Sequence, residues 1–247
     1  MPTPTFFGQN QILTGGGGGF DPGSFLAGLT WYADADNVAG VDNDPVVDLP
    51  NASGLDANIN YGQDTGTRQP ALKTGLYNGH NGIRFGGNDS LVHDPTALPL
   101  GSANTLICVC TPGTAASYIV RGNNSEGGPG FITGFGGVAF EYFYTTGGER
   151  ATFAASASGL HILTLCRTDD TGNYVGYFDE TQVFSNSINT GNDWNGQDVP
   201  ILGSFDFNAT IGAYTGDYVA AMHFNQNHAG ASGLADLLAA AVAWWGI

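Results

Sequence analysis

Carboxylates are the reactive groups this chain has in quantity. Asp34, Asp36, Asp42 and Asp44 crowd into one short stretch. Acidic groups this close repel one another, and a hard cation such as Ca2+ relieves that repulsion. The stretch lacks the glycine at the sixth and the glutamate at the twelfth position of an EF-hand loop. Two readings follow: a Ca2+ site, or solvated aspartates that make turns. Retaining glycoside hydrolysis would need two carboxyl groups about 5 Å apart, which on a strand means acidic residues two or four positions apart on one face. The only glutamates are Glu126, Glu141, Glu149 and Glu180, with no E-x-D-x-E pattern. Glu141, between Phe140 and Tyr142, is expected to face solvent, and Asp179 and Glu180 to point to opposite faces. His80, His93, His161, His223 and His228 show neither HxH nor HExxH spacing. There is no G-x-S-x-G elbow, and the glycine run at 15–19 lacks the Lys-Ser/Thr of a phosphate loop. The expectation is a protein that is not an enzyme and carries no cofactor beyond the Ca2+ candidate. Sugar binding needs only stacking rings and hydroxyl partners, for which Tyr142, Tyr144, Tyr174 and Trp194 are candidates.

The net charge of −16 comes from 18 Asp and 4 Glu set against one Lys and five Arg. A field of that sign repels phosphate backbones and anionic lipid, so neither nucleic acid nor a membrane surface is an expected partner. No apolar run is long enough to span a bilayer. Cys108 and Cys110 stand two apart on one strand face, a poor geometry for bridging. With Cys166 they read as buried free thiols, in keeping with a reducing compartment. The opening MPTPTFFGQN has no basic or apolar signal region, so the expectation is synthesis in the cytoplasm without export by the general pathway.

These residues must be positioned mostly by strands. Glycine is 39 of 247 residues, about twice the usual ~7%, and short apolar runs such as TLICVC, HILTLCR and YVGYFDE recur every 8 to 14 residues between Gly, Asn and Asp turns. That spacing predicts an antiparallel sandwich. Residues 1–25 read as an arm: Phe6, Phe7, Ile12 and Leu13 supply apolar anchors before the glycine hinge, and residues 26–247 form the domain. One helix is predicted over Ser232 to Trp245, where Leu234, Leu237, Leu238, Ala241, Val242 and Trp245 make a single stripe. Ser232 is its expected N-cap and Gly246 its C-terminal cap.

Several stretches carry a family resemblance. Leu29, Trp31, Ala33, Asp34 and Ala35 open the domain. Asp48, Ser53, Gly54 and Ala57 follow in a loop, then Arg68-Gln69-Pro70, then the run Gly82 to Gly87. Trp244, Trp245, Gly246 and Ile247 close the chain. In this order they resemble the laminin-G-like, concanavalin A-like sandwich modules found in bacteriophage particle proteins. The resemblance implies an all-β, two-sheet antiparallel jelly-roll sandwich with a short C-terminal helix and an extended N-terminal arm. It implies a non-enzymatic virion structural protein, a decoration, fibre or tail component, joined to other virion proteins through the arm. Such a protein is displayed as a homo-oligomer on the particle and can adhere to host glycans. The alternative is a carbohydrate-binding module of a bacterial or phage surface protein.

Overall fold

The computed structural model describes residues 19–53, 61–93, 103–113, 117–123, 130–134, 138–143, 150–167, 173–187, 199–203 and 213–247. In chain order the strands are β1 (Leu29–Asp34), β2 (Asp48–Leu49), β3 (Tyr61–Gly62), β4 (Ala71–Tyr77), β5 (His80–Arg84), β6 (Leu91–His93), β7 (Asn104–Cys110) and β8 (Ser117–Asn123). The series continues with β9 (Gly130–Thr133), β10 (Phe140–Phe143), β11 (Arg150–Ala154), β12 (His161–Arg167), β13 (Asn173–Phe178), β14 (Thr181–Ser187), β15 (Val199–Leu202) and β16 (Asp217–Phe224). They form two eight-stranded sheets. The first runs β14-β13-β12-β7-β16-β5-β4, with β1 also paired to β16; the second runs β11-β10-β9-β8-β15-β6-β3-β2. Each described pairing is antiparallel, including β1 on β16 and β7 between β12 and β16. The architecture is the expected all-β sandwich.

The first sheet is covered on both faces, which explains why β7 and β16 are buried at every position. In β7, Leu106, Cys108 and Cys110 enter the core between the sheets, while Ile107 and Val109 face the helix layer. This is the two-residue alternation of a strand with apolar partners on each side. A bulge between Tyr218 and Ala220 shifts the phase in β16, so that Tyr218 and Ala221 share the inner face although they are three apart. All three cysteines are free and buried, as expected.

The helix, α1, spans Ser232–Trp245 and buries Leu234, Leu237, Leu238, Ala241 and Trp245 against the outer face of the first sheet. Gly246 caps it in the left-handed region at φ 72, its amide donating to the Val242 carbonyl at 2.9 Å. The N-cap is Ala231 rather than Ser232: the chain leaves extended geometry at Ala231, so Ser232 is already helical, and the alanine at the cap supplies no side-chain bond. Packing also reaches back before residue 26, since Phe20 is buried with its ring 4.9 Å from that of Trp245.

Two side chains depart from expectation. Glu141 is buried on β10, because both neighbours of that strand are in place and its face is covered. Tyr174 is buried at 2% exposure within the inter-sheet core, so it offers no ring face to a sugar. Phe6, Phe7, Ile12, Leu13, Tyr144 and Trp194 lie outside the described residues. Tyr142 is in β10, opposite Phe131 and Ala151.

Candidate functional site

Where β1 ends, the chain turns through a single 3-10 turn at Ala35–Asn37. Asp34 makes that turn possible by accepting the Asp36 amide at 2.9 Å on its Oδ1. Its other oxygen, Oδ2, accepts the hydroxyl of Tyr32. The pair is buried, with Asp34 at 3% exposure. Burial pushes the Asp34 carboxyl up to about 6, against a further lowering influence from its hydrogen bonds to Tyr32 and Asp36. Burial first, and then the neighbouring Asp34 charge, hold the proton on Tyr32 well above the ordinary phenol range.

The turn then carries Asp36 across to the β4–β5 hairpin. Asp36 Oδ2 lies 2.6 Å from His80 Nδ1, and its Oδ1 accepts the Asn81 amide at 2.7 Å. The His80 ring stacks on Trp244 at a centroid distance of 4.6 Å. The hairpin turns at Asn78 and Gly79, both with positive φ, the conformation that an Asn-Gly pair adopts readily. Asn78 Nδ2 in turn donates to the Trp244 carbonyl at 2.9 Å, so the hairpin and the end of α1 brace this corner together.

Beside the Tyr32–Asp34 pair opens a cleft of about 260 Å3. Phe20, Pro22, Leu29 and Tyr32 give it apolar walls; Asp21, Asp34, Asp36, Asn37 and Ser53 give it acceptors and donors. A wider depression of about 610 Å3 lies around Thr111, Gly113, Val138 and Ala157. Among the described residues it is lined mainly by small side chains, with no charged or amide group. The smaller cleft is the one with recognisable chemistry.

The structure splits the four predicted Ca2+ candidates into two pairs. Asp34 and Asp36 are bound up with Tyr32, His80 and backbone amides as above. Asp44 accepts the Val41 amide at 2.9 Å, and Asp42 accepts the Thr74 amide at 3.3 Å with Lys73 Nζ 3.9 Å away. Among the described residues no three acidic, histidine or cysteine side chains converge on one point. The residues that sequence reasoning missed are Tyr32, Asn37 and His80. Tyr32 stands two positions before Asp34 on the same strand face, and that spacing was the available signal; His80 comes from a distant hairpin and had none.

The fold is an antiparallel β-sandwich, and comparison with solved structures agrees with that. The chain is similar to Trypanosoma rangeli sialidase in complex with sialic acid, at 10% identity and a TM-score of 0.60, over 87% of this chain and 33% of the sialidase. It is similar to the same sialidase bound to 2,3-difluoro-KDN, at 10% identity and a TM-score of 0.61, over 87% and 33%. A mutant HCR/D, a clostridial toxin domain, matches at 10% identity and a TM-score of 0.61, over 87% of this chain and 52% of that one. The chain thus spans about a third of the sialidase chains it resembles. No protein-family model matches the sequence, and no curated protein does.

These neighbours correct two expectations, that the chain is a non-enzymatic virion structural protein and that it is not an enzyme. The fold is one that sialidase chains carry, solved with sialic acid and as a covalent intermediate. A search for paired carboxylates tests only one mechanism of glycoside hydrolysis. The virion reading rested on the resemblance to sandwich modules of phage particle proteins, with the arm, the opening without a signal region and the acidic charge as supports.

Proposed function

We propose that this chain is a carbohydrate-recognition sandwich that serves glycan processing, with the sugar seated in the cleft beside Tyr32 and Asp34. The observation that carries this reading is the composition of the cleft. Half-buried Leu29 can lie against the C–H face of a sugar over a floor formed by the buried Phe20 and Tyr32, while Asp36, Asn37 and Ser53 address its hydroxyls. The lectin-like fold, the resemblance to concanavalin A-like modules in the Trp31 to Ala35 opening, and the sugar complexes of the sialidases support it.

The Tyr32–Asp34 pair favours a second reading, in which the cleft cleaves a glycosidic bond. A phenol hydrogen-bonded to a carboxylate has a base to receive its proton when it attacks. One experiment covers both readings. The purified chain is applied to a printed array of neutral, amino and acidic glycans and incubated with a panel of umbelliferyl glycosides. Binding is expected to fall at least tenfold in an Asn37→Ala, Ser53→Ala double variant that melts at the parent temperature. Any hydrolysis is expected to vanish in Tyr32→Phe. A chain that binds no glycan on the array would sink the proposal.

A further inference from the structure

Although the neighbouring sialidases were solved with an anionic sugar, the walls of this cleft have the wrong charge for one. We infer that the cleft selects uncharged sugars and rejects uronic and sialic acids, an inference that rests on the carbohydrate reading above. Three of its lining side chains are carboxylates, Asp21, Asp34 and Asp36, and among the described residues no lysine or arginine lines it. His80, on the neighbouring hairpin, has its Nδ1 already committed to Asp36 at 2.6 Å. A carboxylate on the ligand would therefore enter beside three like charges with no guanidinium to receive it, in a chain of net charge −16.

The hydrogen-bonding inventory points the same way. An ionised carboxylate only accepts, and each has about four acceptor sites on its two oxygens. Asp36 spends one on His80 and one on the Asn81 amide, and Asp21 spends one on the Gly23 amide at 3.1 Å. Both residues are exposed and keep acceptor capacity toward the opening. Sugar hydroxyls are donors, so a neutral polyol meets these acceptors, and a ligand carboxylate meets repulsion. Asn37 and Ser53 supply donors for the ring or glycosidic oxygen. The cleft volume of about 260 Å3 lies below the usual ~300–1,000 Å3 of ligand pockets, which suits one sugar ring at a time.

The test uses pairs that differ only at C6: glucose, galactose and mannose against glucuronic, galacturonic and mannuronic acid, with free sialic acid alongside. Titration calorimetry on the full chain at low salt is expected to show at least one neutral sugar binding at least tenfold more tightly than its acid. That gap should narrow when salt is raised to about 0.5 M, because screening weakens the repulsion, and in an Asp21→Asn, Asp36→Asn double variant. A uronic or sialic acid that binds as tightly as the neutral sugars overturns the charge selectivity and leaves the carbohydrate reading standing. Binding of none of the sugars, neutral or acidic, overturns both.

Discussion

Asp34 is the residue on which the site turns, and its titration is measurable. Its folded carboxyl is raised to about 6 from an ordinary 3.8, with burial as the first cause. A raised carboxyl pKa means that the folded chain holds the proton more tightly than the unfolded one. This group therefore costs stability as pH rises from 3.8 to 6, and the cost is complete above that window. The gap of roughly two pH units corresponds to about 3 kcal/mol. An Asp34→Asn variant does not titrate, so its stability relative to the parent is expected to improve by up to about that amount between pH 4 and pH 7. Urea midpoints at the two pH values check this. A constant difference between parent and variant would mean that folding leaves the pKa of Asp34 unchanged.

At the scale of elements, α1 braces the site, and its contact with the chain before β1 is unusually close. A Cβ built on Gly233 would stand 2.6 Å from the Phe25 carbonyl oxygen and 3.1 Å from Leu26 Cδ2. Helix propensity favours alanine over glycine by about 1 kcal/mol, yet Gly233→Ala is expected to lower the melting temperature, because a backbone carbonyl cannot step aside as a flexible side chain can. Leu238→Ala, on the buried stripe, should cost about 2 to 5 kcal/mol. If Gly233→Ala melts higher than the parent, α1 does not dock on the Phe25 segment as described. The strands divide by legibility. β7, β12 and β16 were readable as apolar runs, whereas β14, built from Thr181-Gln182-Val183-Phe184-Ser185-Asn186-Ser187, was not. It is an edge strand with one neighbour, β13, so its polar residues carry too weak an alternation to stand out from a loop.

At the scale of the whole molecule, His223 and Asp34 contribute opposed titrations to acid stability. His223 is buried, with its Nδ1 2.6 Å from the Thr30 hydroxyl, and burial lowers its pKa from 6.5 to about 3. The unfolded chain takes up this proton first, so His223 removes stability as pH falls from 6.5 toward 3. Asp34 restores some over the overlapping stretch from 6 to 3.8. By pH 4.5 the His223 loss should reach about 2 to 3 kcal/mol. A His223→Gln variant is expected to lose that much less than the parent between pH 7 and pH 4.5, read again from urea midpoints. Parallel curves for the two proteins would show that the imidazole is protonated in the folded state.

The sequence by itself determined the sandwich and its helix. The period of apolar residues along TLICVC, HILTLCR and Leu234 to Trp245 is a local property, and it dictates which faces must be covered. It also flagged Asp34 and Asp36 as residues too crowded to be idle. Only the tertiary structure decided their company. Spacing along the chain grouped them with Asp42 and Asp44, but the 3-10 turn at Ala35–Asn37 aims Asp36 at the hairpin carrying His80, while Asp42 and Asp44 turn toward Lys73 and backbone amides. Glu141 and Tyr174 were misjudged for a related reason: whether a strand position faces water depends on what the second layer lays over it. Long-range pairing creates that layer, and no local pattern of residue types encodes it.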